Sequence, residues 1–215
     1  MGRRAKRLSA AALAAALAFA HAPAAFAGAQ QYEMLSAAVR ASLAHAVAES
    51  PNVDLADMDT RAWVRAMTPR MVGRFGDERS TRRFLALVRY EAMRAGLDPQ
   101  LVLAVMDVES HFRKYAVSKA GARGLMQVMP FWIALIGVPG QDLFVERTNL
   151  RYGCTILRHY LGIENGDLYR ALGRYNGSLG KPDYPAAVLA AEARYRGGTD
   201  RPLVATSGGD GSTAR

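Results

Sequence analysis

The stretch that most constrains this 215-residue chain runs from Leu97 to Pro130. Asp98-Pro99 opens it as helices open, with a side chain able to accept from free N–H groups and then a ring whose missing N–H costs nothing in a first turn. The run that follows, Leu101-Val102-Leu103-Ala104-Val105-Met106, is apolar on every side. A helix apolar on most sides is buried on most sides, so other elements must surround it. Near its far end stands Glu109, one residue after Val108 and three before Phe112. At the edge of apolar surroundings the charged form of a carboxyl is disfavoured, so Glu109 can keep its proton near neutral pH and act as an acid.

The rest of the chain supplies helices to pack against it. Leu35, Val39, Leu43 and Val47 recur four apart in an Ala-rich segment over 30–49, an amphipathic helix ended by Ser50-Pro51. Leu55, Met58, Trp63, Met67 and Met71 predict one or two short helices, interrupted at Thr68-Pro69 and punctuated by Gly73 and Gly76. From Asp77 to Ala95 a further helix carries Phe84, Leu85, Val88, Ala92 and Met93 on its apolar face, with Gly96 as its stop. Residues 111–120 read as loop, Phe131–Ile136 as a short helix, and Thr148 or Asn149 as the cap of a helix reaching Leu161. Asp167 caps another helix that runs to Tyr175, and Pro185–Tyr195 is the last. No segment alternates long enough to predict a sheet, so the expected fold is all-α or almost so.

The ends differ from the middle. Residues 1–27 read as a signal peptide: Arg3, Arg4, Lys6 and Arg7, an apolar run over 8–20, then Ala25-Phe26-Ala27 as a small-x-small cleavage site. The expectation is an exported, periplasmic protein cleaved after Ala27, with an uncleaved anchor as the alternative. Removing four basic residues lowers the net charge from +9 to +5, carried by scattered arginines. A nucleic-acid surface needs a concentrated patch, so no nucleic-acid partner is expected. Residues 197–215, rich in Gly, Ser, Thr and Asp, have little to bury and are expected to be disordered. The division is therefore 1–27 signal, 28–75 helical lead-in, 76–196 main domain and 197–215 tail. Cys154 is the only cysteine, which rules out an internal disulfide, and its helical spacing with Leu150, Leu157 and Leu161 predicts a buried small hydrophobe. His111 and His159 stand without companions at metal-ligand spacing, and no phosphate-cradling glycine loop occurs, so neither metal nor cofactor is expected.

Four motifs now line up: Glu109-Ser110, Gly124-Leu125-Met126-Gln127 with Pro130, Asn149-Leu150, and Tyr175-Asn176-Gly177. In this order and spacing they resemble the soluble lytic transglycosylases of the goose-type-lysozyme-like superfamily, over roughly residues 80–196. The resemblance implies a lysozyme-like helical domain with a sugar-binding groove. It implies peptidoglycan glycan strands as substrate, cleaved without water at the β-1,4 bond between N-acetylmuramic acid and N-acetylglucosamine. The muramic acid C6 hydroxyl attacks its own C1 to leave a 1,6-anhydro end, with Glu109 as acid and then base. Arg174-Tyr175-Asn176-Gly177-Ser178 departs from the Ala-Tyr-Asn-Ala-Gly of many members, which puts the preference of the groove rim in question.

Ordinary glycosidases need a second carboxylate across the scissile bond. The candidates are Asp107, Glu146, Glu164, Asp167 and Asp183. Asp107, two residues from Glu109 on a helix, points elsewhere; Glu146, Glu164 and Asp167 sit at solvated loops or caps; Asp183 stays open. This favours a substrate-assisted route. The alternatives are a hydrolytic muramidase or chitinase-like glycosidase and an inactive wall-binding protein. Gln127 has donors and an acceptor suited to N-acetyl groups, or it is a buried amide bridging helices. Met126 and Met129 either line a sugar subsite or pack in the core. By resemblance, Ser118 lies near the acetamido group, the Tyr175 hydroxyl approaches the catalytic carboxyl, and Asn176 shapes its turn and touches sugar. Ser110 orients backbone, and Asn149 is a helix cap. Residues 28–75 offer a docking surface for envelope machinery, and the protein is expected to act as a monomer.

Overall fold

The computed structural model describes residues 30–48 and 57–197. The expected signal peptide lies outside the described residues, as does the expected tail from 198 onward. The described chain folds into eight helices: α1 (Ala37–Ala48), α2 (Met58–Met71), α3 (Glu78–Arg94), α4 (Pro99–Ser110), α5 (Phe131–Ile136), α6 (Glu146–Ile163), α7 (Leu168–Asn176) and α8 (Asp183–Arg196). Among the described residues the only β pairing is two isolated bridges, Val117 with Arg123 and Arg123 with Val128. The all-α expectation holds.

Helix α4 is the axle. Eleven of its residues are buried, and Asp98 caps it by accepting from the Gln100 N–H. α8 lies along it, α3 flanks it, α2 packs on α3, α6 bridges α3 and α7, and α1 covers α5 and α6. Leu43 and Val47 of α1 and Met67 and Met71 of α2 belong to the same apolar core as Leu103, Met106, Leu157 and Val188. Asp167 caps α7 through its side chain, as expected, and Asp77 caps α3 in the same way.

Three expectations fail for physical reasons. α2 is continuous through Thr68-Pro69 to Met71. The proline sits in the last turn, where its missing N–H costs one bond, and the Thr68 hydroxyl donates to the Val64 carbonyl at 2.6 Å. Met93 is 54% exposed; the last turn of α3 instead turns Glu91 inward, where it is fully buried between Arg94 and Arg151. α6 begins at Glu146, so Thr148 and Asn149 lie inside it and cap nothing. Cys154 is a free, buried thiol, pushed up by desolvation.

Candidate active site

At the C-terminus of α4 the chain reverses within two residues. His111 (φ 50°) and Phe112 (φ 60°) both adopt the left-handed conformation, at a cost of about 1–3 kcal/mol each. This abrupt turn lets residues 113–130 fold back across the helix end that carries Glu109.

Glu109 is only 5% exposed. The Tyr184 hydroxyl donates to its Oε1 at 2.7 Å, and the Asn176 side chain forms a second hydrogen bond to it. Burial pushes its pKa up from 4.5 to about 8, although both hydrogen bonds pull the other way. No neighbouring charge contributes to the shift. At neutral pH the site holds a protonated carboxyl.

The loop over this carboxyl is held one backbone group at a time. The Ser110 hydroxyl donates to the Leu125 carbonyl at 2.7 Å. Asn149, from inside α6, accepts from the Met126 N–H and donates to the Arg123 and Leu143 carbonyls, each at 2.8 Å. The Tyr175 hydroxyl donates to the Met126 carbonyl at 2.7 Å. Gln127 takes a left-handed φ of 48°, and its amide donates to the Ala116 and Gly124 carbonyls at 3.2 and 2.9 Å. Ser118 Oγ accepts from the Ala122 N–H and tightens the turn below. Gly124, at φ 76°, has no room for a Cβ against Asn149 and Leu143.

Several expected roles change. The Tyr175 hydroxyl donates to the loop while lying close enough to Glu109 to feel its charge, and the phenol hydrogen-bonded to Glu109 is Tyr184. Gln127 is buried and spends its amide donors on the Ala116 and Gly124 carbonyls, which belong to the loop and not to two helices. Met126 is fully buried against Gly153 and is core; Met129 is half-buried against the same core. Asn149 is a clamp, and Ser110 orients backbone as expected. Asp107 points away from Glu109 into a cluster with Arg74, Arg194 and Tyr195. Glu146 pairs with Lys114 at 3.2 Å. Glu164 is not solvated: it is gripped by Arg170 and Arg174, which hold its carboxyl below the usual range. Asp183 is exposed at the start of α8. Tyr184 went unnoticed in the sequence because its only signal is the spacing of Tyr184, Val188, Ala191 and Tyr195, which marks an inward face without naming its partner. Among the described residues no group of three or more His, Cys, Asp or Glu could hold a metal ion.

These features define a helical domain built around one sheltered, proton-bearing carboxyl under a pinned Gly-Leu-Met-Gln turn. Residues 86–184 match the family model described as Transglycosylase SLT domain. It is similar to membrane-bound lytic murein transglycosylase C of Actinobacillus pleuropneumoniae, with 41% identity over 98 residues, 43% of this chain and 24% of the relative. The same-named protein of Edwardsiella ictaluri is 33% identical over 140 residues, 63% of this chain and 36% of the relative. The chain thus matches about a quarter to a third of these relatives' length. Among solved structures, an inactive mutant of the lytic transglycosylase Slt of Pseudomonas aeruginosa superposes with a TM-score of 0.48 at 24% identity, covering 64% of this chain and 28% of that one. The 70-kDa soluble lytic transglycosylase of Escherichia coli gives 0.47 at 19% identity, covering 73% and 32%.

Proposed function

We propose that this protein is an exported, envelope-associated peptidoglycan lytic transglycosylase in which Glu109 performs both proton transfers. The observation that carries the reading is that the buried Glu109 carboxyl faces neutral partners, the Tyr184 hydroxyl at 2.7 Å and the Asn176 side chain, while the other acids named as second carboxylates are committed to ion pairs, a helix cap or the exposed start of α8. In the first step protonated Glu109 gives its proton to the glycosidic oxygen as the bond to C1 of the muramic acid breaks. The 2-acetamido oxygen of the same sugar stabilises the positive charge at C1. The Glu109 anion, steadied by the Tyr184 and Asn176 hydrogen bonds, then takes the proton of the C6 hydroxyl as that oxygen bonds to C1. The carboxyl ends protonated, ready for another cycle, and no water is consumed.

In this reading residues 76–196 form the catalytic unit, and the protein works as a monomer on glycan strands, without nucleic acid or cofactor. Within residues 28–75, α1 and α2 add Leu43, Val47, Met67 and Met71 to the core, and the segment offers a docking surface to envelope machinery. Among the described residues no helix is long and apolar enough to cross a membrane. Mass spectrometry of a peptidoglycan digest tests the proposal. The expected product is an anhydro-muropeptide, one water lighter than the reducing-end product of a muramidase. The heavier product would convert the reading to hydrolysis, and no release of muropeptides would convert it to binding.

A further inference from the structure

The turn over Glu109 is secured by partners that, with one exception, come from inside the matched domain. The exception is Gln30, which precedes α1, lies 56 residues before the start of that domain and is only 4% exposed. Its side chain brackets the far half of the turn: Nε2 donates to the Gln127 carbonyl at 3.4 Å and Oε1 accepts from the Met129 N–H at 3.1 Å. The same amide is hydrogen-bonded to the Tyr175 hydroxyl. A primary amide has one carbonyl and one NH2, so this bracket uses both ends of the group. Two further contacts hold the segment in place, a Tyr32–Phe131 edge contact with centroids 5.7 Å apart and a Glu33–Arg174 ion pair at 3.2 Å.

Without Gln30, the part-buried Met129 N–H and the carbonyl of Gln127, a residue already held in a left-handed conformation, lose these partners. Such a turn relaxes, and it carries with it the carbonyl of Met126 to which Tyr175 is bonded. Tyr175 lies close enough to Glu109 for the carboxylate charge to raise its pKa, and Asn176, which bonds Glu109, is the next residue. We propose that Gln30 is a positioning residue that completes the active site from outside the transglycosylase domain, setting the Gly-Leu-Met-Gln turn and through it the Tyr175-Asn176 pair against Glu109. Its catalytic consequence rests on the transglycosylase reading above; the bracket itself does not.

Two variants in the full chain test this. Gln30→Ala removes both bonds of the bracket and the one to Tyr175. It is expected to lower kcat about tenfold with KM changed less than about threefold, since misplacement by a fraction of an ångström acts on the transition state. Gln30→Glu keeps the shape and the acceptor but loses the donor when ionised. Burial raises the pKa of the introduced carboxyl, and once protonated it again offers one donor and one acceptor. Its activity relative to wild type at the same pH is therefore expected to be low at pH 8 and restored toward pH 5. Hydrogen exchange at the Met129 amide reads the bracket without reference to catalysis, and its protection is expected to fall in Gln30→Ala. Unchanged protection, unchanged kcat, or a Gln30→Glu variant indifferent to pH would each overturn the proposal. A wild type inactive on peptidoglycan would instead strike the transglycosylase reading, leaving the exchange measurement to decide the bracket.

Discussion

Asp107 and Glu109 stand two residues apart on one helix, are about equally buried, at 7% and 5% exposure, and behave in opposite ways. Asp107 faces Arg74 at 3.0 Å, Arg194 at 3.3 Å and the Tyr195 hydroxyl at 2.8 Å, which together hold its pKa below the ordinary value despite burial. Glu109 faces only a phenol and an amide, so burial wins and its proton stays. Burial alone therefore does not set the charge of a carboxyl; the charge of what it faces does. The half-turn between them separates a structural ion cluster, which ties α4 to α8 and to the α2–α3 turn, from a proton donor.

The largest expected break in this comparison is Glu109→Gln, which keeps the shape and removes the transferable proton. Turnover on peptidoglycan should fall by ~10³-fold or more with the fold intact by circular dichroism. The same variant has a second signature in stability. Because the folded pKa of Glu109 lies above its unfolded value, the folded chain binds the proton more tightly, and this advantage is lost as pH rises from about 4.5 through about 8. Glu109→Gln is free of that loss, so it should gain on wild type across this window by on the order of a few kcal/mol at pH 8, measured by urea unfolding at several pH values.

Asp107→Ala should do the reverse. It strands two arginines and destabilises by ~2 kcal/mol at pH 7, less than a fully buried pair because the side chains of Arg74 and Arg194 are 48% and 60% exposed. The sign of its pH dependence is opposite too: a depressed carboxyl contributes above about pH 4 and loses that contribution as pH falls, so mutant and wild type should converge in acid. The smallest effect sharpens the Glu109 side alone. Tyr184→Phe deletes the hydrogen bond that lowers the Glu109 pKa, so kcat should fall about tenfold while the alkaline limb of the pH–rate profile moves upward. A downward shift would mean that Tyr184 stabilises the protonated form.

What could be read in the sequence was what depends on near neighbours. Asp98 and Asp167 cap helices two or three residues downstream, and the run 101–106 declares its own burial and with it that of Glu109. What escaped depends on which helices meet. Tyr175 and Tyr184 both lie on apolar faces, and only the packing of α8 along α4 assigns the second to a carboxyl 75 residues away. Asn149 has the chemistry of a cap, yet a loop more than 20 residues earlier claims its side chain. Glu164 looks solvated until the arginines of α7 fold onto it. Met93 missed the core because Glu91, with two arginine partners, could enter it at lower cost than local hydrophobicity suggests.

The two glycines that fit the turn to α6 carry a consequence for recombination. A Cβ at Gly153 would strike Met126, and one at Gly124 would strike the amide of Asn149. Each contact is a bump on one segment seated in a notch on the other, with the pairs crossed: the turn brings a methionine and a glycine, the helix a glycine and an asparagine. Crossovers between homologues that fall between residues 126 and 149 would split both pairings at once. Chimeras should survive only when the two segments are inherited together or when both parents share the same four residues.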